Sequence, residues 1–108
     1  MTCIQDFYRL TGAPPLLPDY ALGNWWSRYH AYTQQEYCDL MERFEAENLP
    51  FSVAVVDMDW LTVKIPEEYK YSGDEFDTGW TGYSGNEELF PDYRAFLKFL
   101  EQHHLKTA

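Results

Sequence analysis

The sequence has few basic residues and few cysteines, and it contains no long apolar run. Its 8 Lys and Arg residues are outnumbered by 18 Asp and Glu residues, so the formal net charge is −10 at pH 7. This balance argues against nucleic acids and anionic membranes as partners, because basic side chains hold both. No apolar segment approaches the ~20 residues of a membrane-spanning helix, and the first residues lack the basic and then apolar order of a secretory signal.

Cysteine and histidine are too sparse for a disulfide framework or a zinc motif. The chain has 2 cysteines, Cys3 and Cys38, which lie far apart and form no CxxC pair. His103 and His104 are adjacent, without a cysteine or an acidic residue at zinc-like spacing. We therefore expect two reduced thiols in a cytoplasmic protein, with no structural metal and no cofactor.

Aromatic residues, by contrast, are abundant. They make up 19% of the 108 residues, which excludes a disordered chain. The length allows one domain or part of one. From composition we divide the chain into a Pro-rich arm (1–20), a strand–helix–strand unit (21–60), a long loop rich in Gly, Tyr, Asp and Glu (61–90) and a second helical segment (91–108).

Local patterns predict an α/β chain with the order βαβα. We expect a short helix at residues 3–10, strands at 21–29 and 51–56, and helices at 33–48 and 92–105. Thr33 and Glu36 have the spacing of a capping box, and Asp92 is a good N-cap for the last helix. The run FSVAVV is typical of a strand that is buried on both faces of a parallel sheet. No third strand is expected at the end of the chain.

Each of the two longer helices has an apolar stripe that we expect to face the core. The first stripe consists of Tyr37, Leu40, Met41 and Phe44. The second stripe consists of Tyr93, Phe96, Leu97, Leu100 and His104. Both follow the i, i+3, i+4, i+7 spacing of one helix face. Trp25 and Trp26 point to opposite faces of the first strand, so one of them is expected in the core.

The string VDMDW places two carboxylates, Asp57 and Asp59, directly after the second predicted strand. In parallel α/β folds, ligands bind just beyond the carboxyl ends of the strands. The pattern therefore favours a polar site at this position. Capping of the following loop or turn is the structural alternative.

Two further segments combine aromatic and polar residues. In GWTGYSGN, Trp80 and Tyr83 can stack on a sugar face or fold back as a lid on the core, and the sequence leaves both open. In WWSRY, Arg28 or Tyr29 can reach a site at the strand end, although core packing is the simpler interpretation. The acidic residues between positions 67 and 77 lack the ordered spacing of a calcium loop, so we expect a solvated loop.

Taken together, these segments resemble one enzyme family. The chain is similar to glycoside hydrolase family 31, whose members include α-glucosidases and α-xylosidases, in the strings LTGAPPLLPDYALGNWWSRYHAYT, LPFSVAVVDMDW, GWTGY and LFPD. The resemblance covers essentially the whole chain. It implies that the chain holds the first two βα units of a (β/α)₈ TIM barrel, with residues 61–90 as a loop on the substrate side.

The resemblance also implies a function, which is retaining hydrolysis of α-linked glucosides or oligosaccharides by the parent enzyme. The family's two catalytic aspartates lie on later strands, so neither role passes to Asp57 or Asp59, and the chain alone is expected to be inactive. In the −1 sugar subsite, Asp57 is expected to bind hydroxyls, Met58 to form an apolar wall and Tyr29 to add an aromatic side chain. With Trp80 from the long loop, four residues are thus assigned to substrate binding.

Two positions depart from the family pattern. Leu61 stands where relatives often have His, and Gly85 stands where relatives often have the Trp of GYTWN. Both lie at the expected rim of the pocket. They bear on the substrate preference and leave the family resemblance intact.

Two other functions are weighed against the glycosidase. A phosphatase of the haloacid dehalogenase type also places D-x-D after an apolar strand, with Asp57 and Asp59 in the site. That class has a small residue and then Thr or Val after the second Asp, whereas this chain has Trp60. A non-catalytic carbohydrate-binding or structural module is the second alternative. If the chain is a fragment of the barrel, its two strands leave edges and an apolar face uncovered, so we expect a homo-oligomer.

Overall fold

The computed structural model describes residues 2–64, 68 and 82–108. In chain order the elements are α1 (Thr2–Thr11), a 3₁₀ turn (Asp19–Leu22), β1 (Trp25–Trp26), α2 (Gln34–Ala46), β2 (Val53–Ala54), α3 (Tyr93–Gln102) and β3 (Lys106–Thr107). The strands form a parallel sheet in the order β1–β2–β3. The predicted α/β class is confirmed, and the element order within it is βαβαβ.

The strands are shorter than predicted, and there is one more of them. The prediction of a strand over residues 21–29 is wrong for most of that range, because only β1 pairs and the 3₁₀ turn takes up the start. The prediction that no third strand forms is also wrong. The Lys106 N–H donates to the Ser52 carbonyl at 3.0 Å, and the Ala108 N–H donates to the Ala54 carbonyl at 3.3 Å. The free edge of β2 offers these partners, so the last residues become β3.

Helix α2 begins as the sequence indicates. The Glu36 N–H donates to the Thr33 hydroxyl at 3.2 Å, and the Thr33 N–H donates to the Glu36 carboxylate at 2.9 Å. Both halves of the predicted capping box are therefore confirmed. The chain leaves the helix through Asn48, which has a φ of 56° in the left-handed region.

Helix α3 starts at its predicted cap but ends earlier than predicted. The Asp92 carboxylate accepts the Ala95 N–H at 2.9 Å, which confirms the N-cap. The helix stops at Gln102 because His104 adopts a φ of 58° outside the helical region. His104 is therefore not part of a buried stripe and is exposed. Leu97 is also 49% exposed, so the predicted stripe is only partly confirmed.

The core lies between one face of the sheet and helices α2 and α3. Trp26 contacts the rings of Tyr37 and Phe44, with centroid distances of 5.7 and 5.4 Å. Tyr37 is fully buried, and its hydroxyl donates to the Val55 carbonyl at 2.9 Å. Burial also raises the pKa of Tyr37 above its usual range. Trp25 points to the other face and is 48% exposed, as expected from strand alternation.

The described helices do not include a membrane anchor. Among residues 2–64, 68 and 82–108, none of the helices combines the length and the apolar character that a membrane crossing requires.

Candidate functional site

The segments that follow β1 and β2 meet at the carboxyl end of the sheet. Ala31 and Met58 form a parallel β-bridge, which joins these two segments directly. Tyr29 is 79% exposed, Asp57 is exposed and Met58 is half-buried. Three of the residues assigned to substrate binding therefore lie on segments that the fold brings together. The fourth, Trp80, lies outside the described residues.

The two aspartates of VDMDW lie in different surroundings. Asp57 is exposed directly after the sheet, whereas Asp59 is half-buried and has a φ of 55°. Asp59 therefore forms the bend of a tight turn, which we call the Asp57–Trp60 turn after residues 57–60. Its carbonyl oxygen accepts a hydrogen bond from the Asn86 side-chain amide at 3.0 Å. The solvent-facing carboxylate of Asp57 is the one that a ligand at the sheet edge can reach.

The two positions that depart from the family pattern contact each other. Leu61 and Gly85 form an isolated antiparallel β-bridge. Beside it, the Thr62 N–H donates to the Ser84 carbonyl at 2.7 Å, and the Thr62 hydroxyl donates to the Gly85 carbonyl at 3.0 Å. The end of the long loop is thus tied to the segment that follows the Asp57–Trp60 turn.

Tyr83 extends from this tied segment into solvent. It is 89% exposed, and its ring centroid lies 6.5 Å from that of Trp60 at an angle of 43°. The sequence left open whether Tyr83 folds back on the core or faces a ligand. With most of its surface exposed, Tyr83 does not act as a buried lid in this structure, and its ring is available for contact.

Two residues that support the turn were not singled out as site residues from the sequence. The Tyr93 hydroxyl donates to the Trp60 carbonyl at 2.6 Å, and the Asn86 N–H donates to the same oxygen at 2.9 Å. Burial raises the pKa of Tyr93. The spacing of Tyr93 predicts a place in the core stripe of the last helix, and Asn86 ends the glycine-rich string GWTGYSGN. An asparagine in such a loop is a turn-forming signal, but its distant partner is visible only in the fold.

Arg28 is exposed, but its side chain is bonded to a buried tyrosine. Its guanidinium donates to the Tyr32 hydroxyl at 3.3 Å, and the His30 ring meets the Tyr32 ring edge-on at 4.4 Å. Tyr32 is buried. Arg28 and Tyr29 are both exposed at the strand end, and Arg28 is the one whose side chain is bonded to the core residue Tyr32.

An apolar cavity of about 260 Å³ lies behind the turn, between the ends of β2 and β3 and the start of α3. Val56, Trp60, Phe90, Tyr93, Phe96, Leu97, Thr107 and Ala108 line it. Asp57, Met58 and Tyr29 are absent from this lining. A sugar needs polar partners, so the sheet edge with Asp57 remains the candidate ligand site and the cavity does not. In the described part of the chain, no three His, Cys, Asp or Glu side chains converge as metal ligands would.

A parallel sheet with helices α2 and α3 on one face, and carboxylates beyond the strand ends, defines part of a βα-barrel domain. Residues 14–108 match the family described as the glycosyl hydrolases family 31 TIM-barrel domain. The chain belongs to this family.

Individual relatives agree with the family match. An α-xylosidase of Saccharolobus solfataricus is 30% identical over 105 residues, which is 97% of this chain and 12% of the relative. An uncharacterised family 31 glucosidase of Pseudescherichia vulneris is 35% identical over 57 residues, which is 53% of this chain and 11% of the relative. The chain thus spans about one-tenth of the length of these curated relatives.

Solved structures show the same fold. A family 31 α-xylosidase of Xanthomonas citri superposes with a TM-score of 0.70 at 21% identity, covering 94% of this chain and 10% of that chain. A family 31 α-xylosidase from a soil metagenome, in complex with xylose, superposes with a TM-score of 0.62 at 25% identity, covering 90% of this chain and 12% of that chain. The short parallel sheet described above is therefore a segment of a TIM-barrel architecture.

Proposed function

We propose that the chain is part of a retaining glycoside hydrolase that cleaves α-linked xylosides or glucosides. The observation that carries this proposal is the family match over residues 14–108, which includes both strand ends that meet at the Ala31–Met58 bridge. The same match favours a glycosidase over a haloacid dehalogenase-type phosphatase, because it accounts for Asp57 and Asp59 within a barrel enzyme.

Within this enzyme, the carboxyl end of the sheet contributes to the −1 sugar subsite. Asp57 is exposed there and accepts hydrogen bonds from sugar hydroxyls, because a charged acceptor binds hydroxyls more strongly than a neutral one. Met58 supplies an apolar wall, and Tyr29 supplies aromatic surface beside it. Trp80 is also assigned to substrate binding in this proposal, because an aromatic ring beside small residues can stack on a sugar face.

The relatives bear on the choice of sugar. The α-xylosidase of Saccharolobus solfataricus and an α-xylosidase of Emericella nidulans, 28% identical, cover 97% and 92% of this chain. This coverage supports an α-xyloside as the first substrate to test. The α-glucoside expected from the sequence resemblance stays a prediction beside it.

The test uses the full-length protein that carries this chain, assayed with p-nitrophenyl α-xyloside and p-nitrophenyl α-glucoside. Asp57→Ala is expected to lower kcat/KM by roughly 10²-fold or more, because a site built for polar groups is left unpaired. Asp59→Ala is expected to have the smaller effect on kcat/KM or to act through folding, so the matched control is Asp59→Asn, which removes the carboxylate and tolerates the φ of 55°. Near-normal kinetics for Asp57→Ala would remove this residue from the site.

We also propose that the 108-residue chain alone does not turn over α-glycosides. The family's general acid and nucleophile, which supply most of the rate, are not carried by Asp57 or Asp59. Hydrolysis of p-nitrophenyl α-glucoside by the purified chain, abolished by Asp57→Ala, would contradict this proposal.

A further inference from the structure

The Asp57–Trp60 turn contains a residue in an unfavourable backbone conformation. Asp59 has a φ of 55°, which aspartate adopts more readily than most residues but glycine adopts at lower cost. Such a conformation persists where the surrounding structure determines it. The direction of Asp57, two residues earlier, therefore depends on what holds the far side of the turn.

Two adjacent carbonyl groups of the turn are held from outside. The Asn86 side-chain amide donates to the Asp59 carbonyl at 3.0 Å. The Asn86 N–H and the Tyr93 hydroxyl both donate to the Trp60 carbonyl, at 2.9 and 2.6 Å. These three donors come from the long loop and from the first residue of α3, so the turn is fixed by elements that are distant in the sequence.

Asn86 is itself held in place. Its side-chain oxygen accepts the N–H groups of Glu88 and Leu89, at 3.1 and 3.4 Å, and its carbonyl accepts the Phe90 N–H at 2.8 Å. The amide is therefore oriented with its oxygen toward its own loop and its nitrogen toward the turn. An aspartate at this position keeps the acceptor for the loop and loses the donor to Asp59.

Tyr93 reaches the turn because position 85 is a glycine. A Cβ atom on Gly85 would overlap the ring and the hydroxyl of Tyr93. The Tyr93 ring also stacks on Phe90, with a centroid distance of 6.1 Å and an interplanar angle of 9°. The departure from the family pattern at Gly85 thus has a physical role, since a tryptophan there would displace Tyr93.

We propose that Asn86 and Tyr93 are positioning residues that fix the Asp57–Trp60 turn and thereby aim Asp57 at the sugar, with Gly85 as the small residue that admits Tyr93. This inference rests on the proposed function, because it assumes that Asp57 binds substrate. It goes beyond that function, because it states that Asn86 of the long loop and Tyr93 of α3 set the orientation of Asp57 in the subsite.

The test measures kcat and KM of the full-length protein on p-nitrophenyl α-xyloside and p-nitrophenyl α-glucoside. Tyr93→Phe removes the hydroxyl that donates to the turn and keeps the packing of the ring. Asn86→Asp removes the side-chain donor to the turn and keeps the oxygen that accepts the N–H groups of its own loop. Each is expected to lower kcat/KM by roughly 3- to 10-fold. In an Asp57→Ala background, neither change is expected to lower kcat/KM further by more than about 2-fold, because residues that act through one group do not add.

Two controls separate positioning from general destabilisation. Tyr20→Phe removes the hydroxyl of a tyrosine whose ring centroid lies 5.8 Å from the Lys106 ammonium, at the opposite end of the sheet, and is expected to leave kcat/KM unchanged. Thr33→Ala weakens the cap of α2 without touching the turn, so it is expected to lower the unfolding temperature and to leave kcat/KM unchanged. A loss of kcat/KM in Tyr93→Phe that Thr33→Ala reproduces would overturn the positioning role.

The remaining outcomes distinguish the two proposals. If Asp57→Ala lowers kcat/KM while Tyr93→Phe and Asn86→Asp behave as the wild type, the proposed function stands and the positioning role is wrong. If the losses in Tyr93→Phe and Asp57→Ala multiply in the double variant, Tyr93 acts independently of Asp57 and the positioning role is again wrong. If Asp57→Ala itself has wild-type kinetics, Asp57 is removed from the subsite and the positioning role fails with it, whereas the proposed glycosidase activity stands.

Discussion

Asp59 shows how a single backbone angle separates two aspartates that look equivalent in the sequence. Its φ of 55° lies where an alanine is strained and a glycine is not. Asp59→Gly is therefore expected to be more stable than Asp59→Ala by about 1 kcal/mol in the free energy of unfolding. Urea denaturation of the two variants checks this, and equal stability would mean that the turn relaxes when the side chain is removed.

Cys38 is a second residue whose surroundings decide its chemistry. Its thiol is half-buried on α2, and burial, together with the carboxylates of Asp39 and Glu42, raises the pKa of Cys38 to about 11. At about pH 8, only about one such thiol in 10³ is the reactive thiolate. Iodoacetamide should thus alkylate the exposed Cys3 first, and the rate at Cys38 should rise with pH toward about 11.

Mass spectrometry of the alkylated chain separates the two thiols. A Cys3→Ser variant provides the control, because Cys38 is then the only thiol. Alkylation of Cys38 at about pH 8 as fast as that of Cys3 would show that the thiol is more accessible or more ionised than its position on α2 indicates.

At the scale of the elements, the start of α2 allows a direct stability test. Thr33→Ala removes the hydroxyl that accepts the Glu36 N–H, so a loss of ~1 kcal/mol is expected in the free energy of unfolding. Gln35→Ala is the control, because it removes only an exposed bond to Asp39, worth about 0.2–0.5 kcal/mol, and leaves the capping box intact. Urea denaturation measures both variants. An equal loss of stability in the two would mean that the cap does not stabilise α2 specifically.

The stability that this capping box contributes falls as the pH is lowered. Hydrogen bonds from the Thr33 N–H and hydroxyl to the Glu36 carboxylate lower the pKa of Glu36. Because the folded pKa lies below the ordinary one, this stabilisation is present above the ordinary value and is lost as the pH falls through the folded pKa. Glu36→Gln should therefore be less stable than the wild type near neutral pH, and the difference should shrink in acid.

The helices were predicted more closely than the strands, and the reason is physical. Caps such as Thr33 and Asp92 are local, because each is satisfied within three residues of itself. A strand is defined by its neighbour. Lys106 and Thr107 become β3 only because Ser52 and Ala54 offer free carbonyls beside them, and no pattern within the last residues indicates that pairing.

At the scale of the whole molecule, the sequence predicted where the candidate site lies but not what supports it. Asp57 follows an apolar strand, and the structure confirms that it lies exposed beyond the carboxyl end of β2; ligand binding at this position stays a prediction. The contacts of Asn86 and Tyr93 with the turn span 27 and 33 residues of sequence. Such contacts follow from the packing of the loop and α3 against the sheet, so local periodicity cannot reveal them. The cytoplasmic location stays a prediction.

The edges of the sheet lead to a prediction about assembly. Within the described residues, β1 and β3 each pair with β2 on one side only. Val53 on the central strand is buried, so another copy of the chain can reach the sheet only at its edges. A row of unpaired backbone groups beside the half-exposed Trp25 can pair with β3 of a second copy. The apolar side chains exposed on α1, Ile4, Phe7 and Leu10, add to the surface that a partner would cover.

We therefore expect the 108-residue chain to form a small homo-oligomer, with the net charge of −10 limiting its growth by mutual repulsion. Size exclusion with light scattering at micromolar concentration measures its mass. Trp25→Lys places a charge on the β1 edge and should lower that mass, whereas Leu16→Lys adds the same charge on the exposed arm and should not. A monomeric wild type that unfolds in one sharp transition would contradict this expectation, because the sheet would then be stable with both edges open.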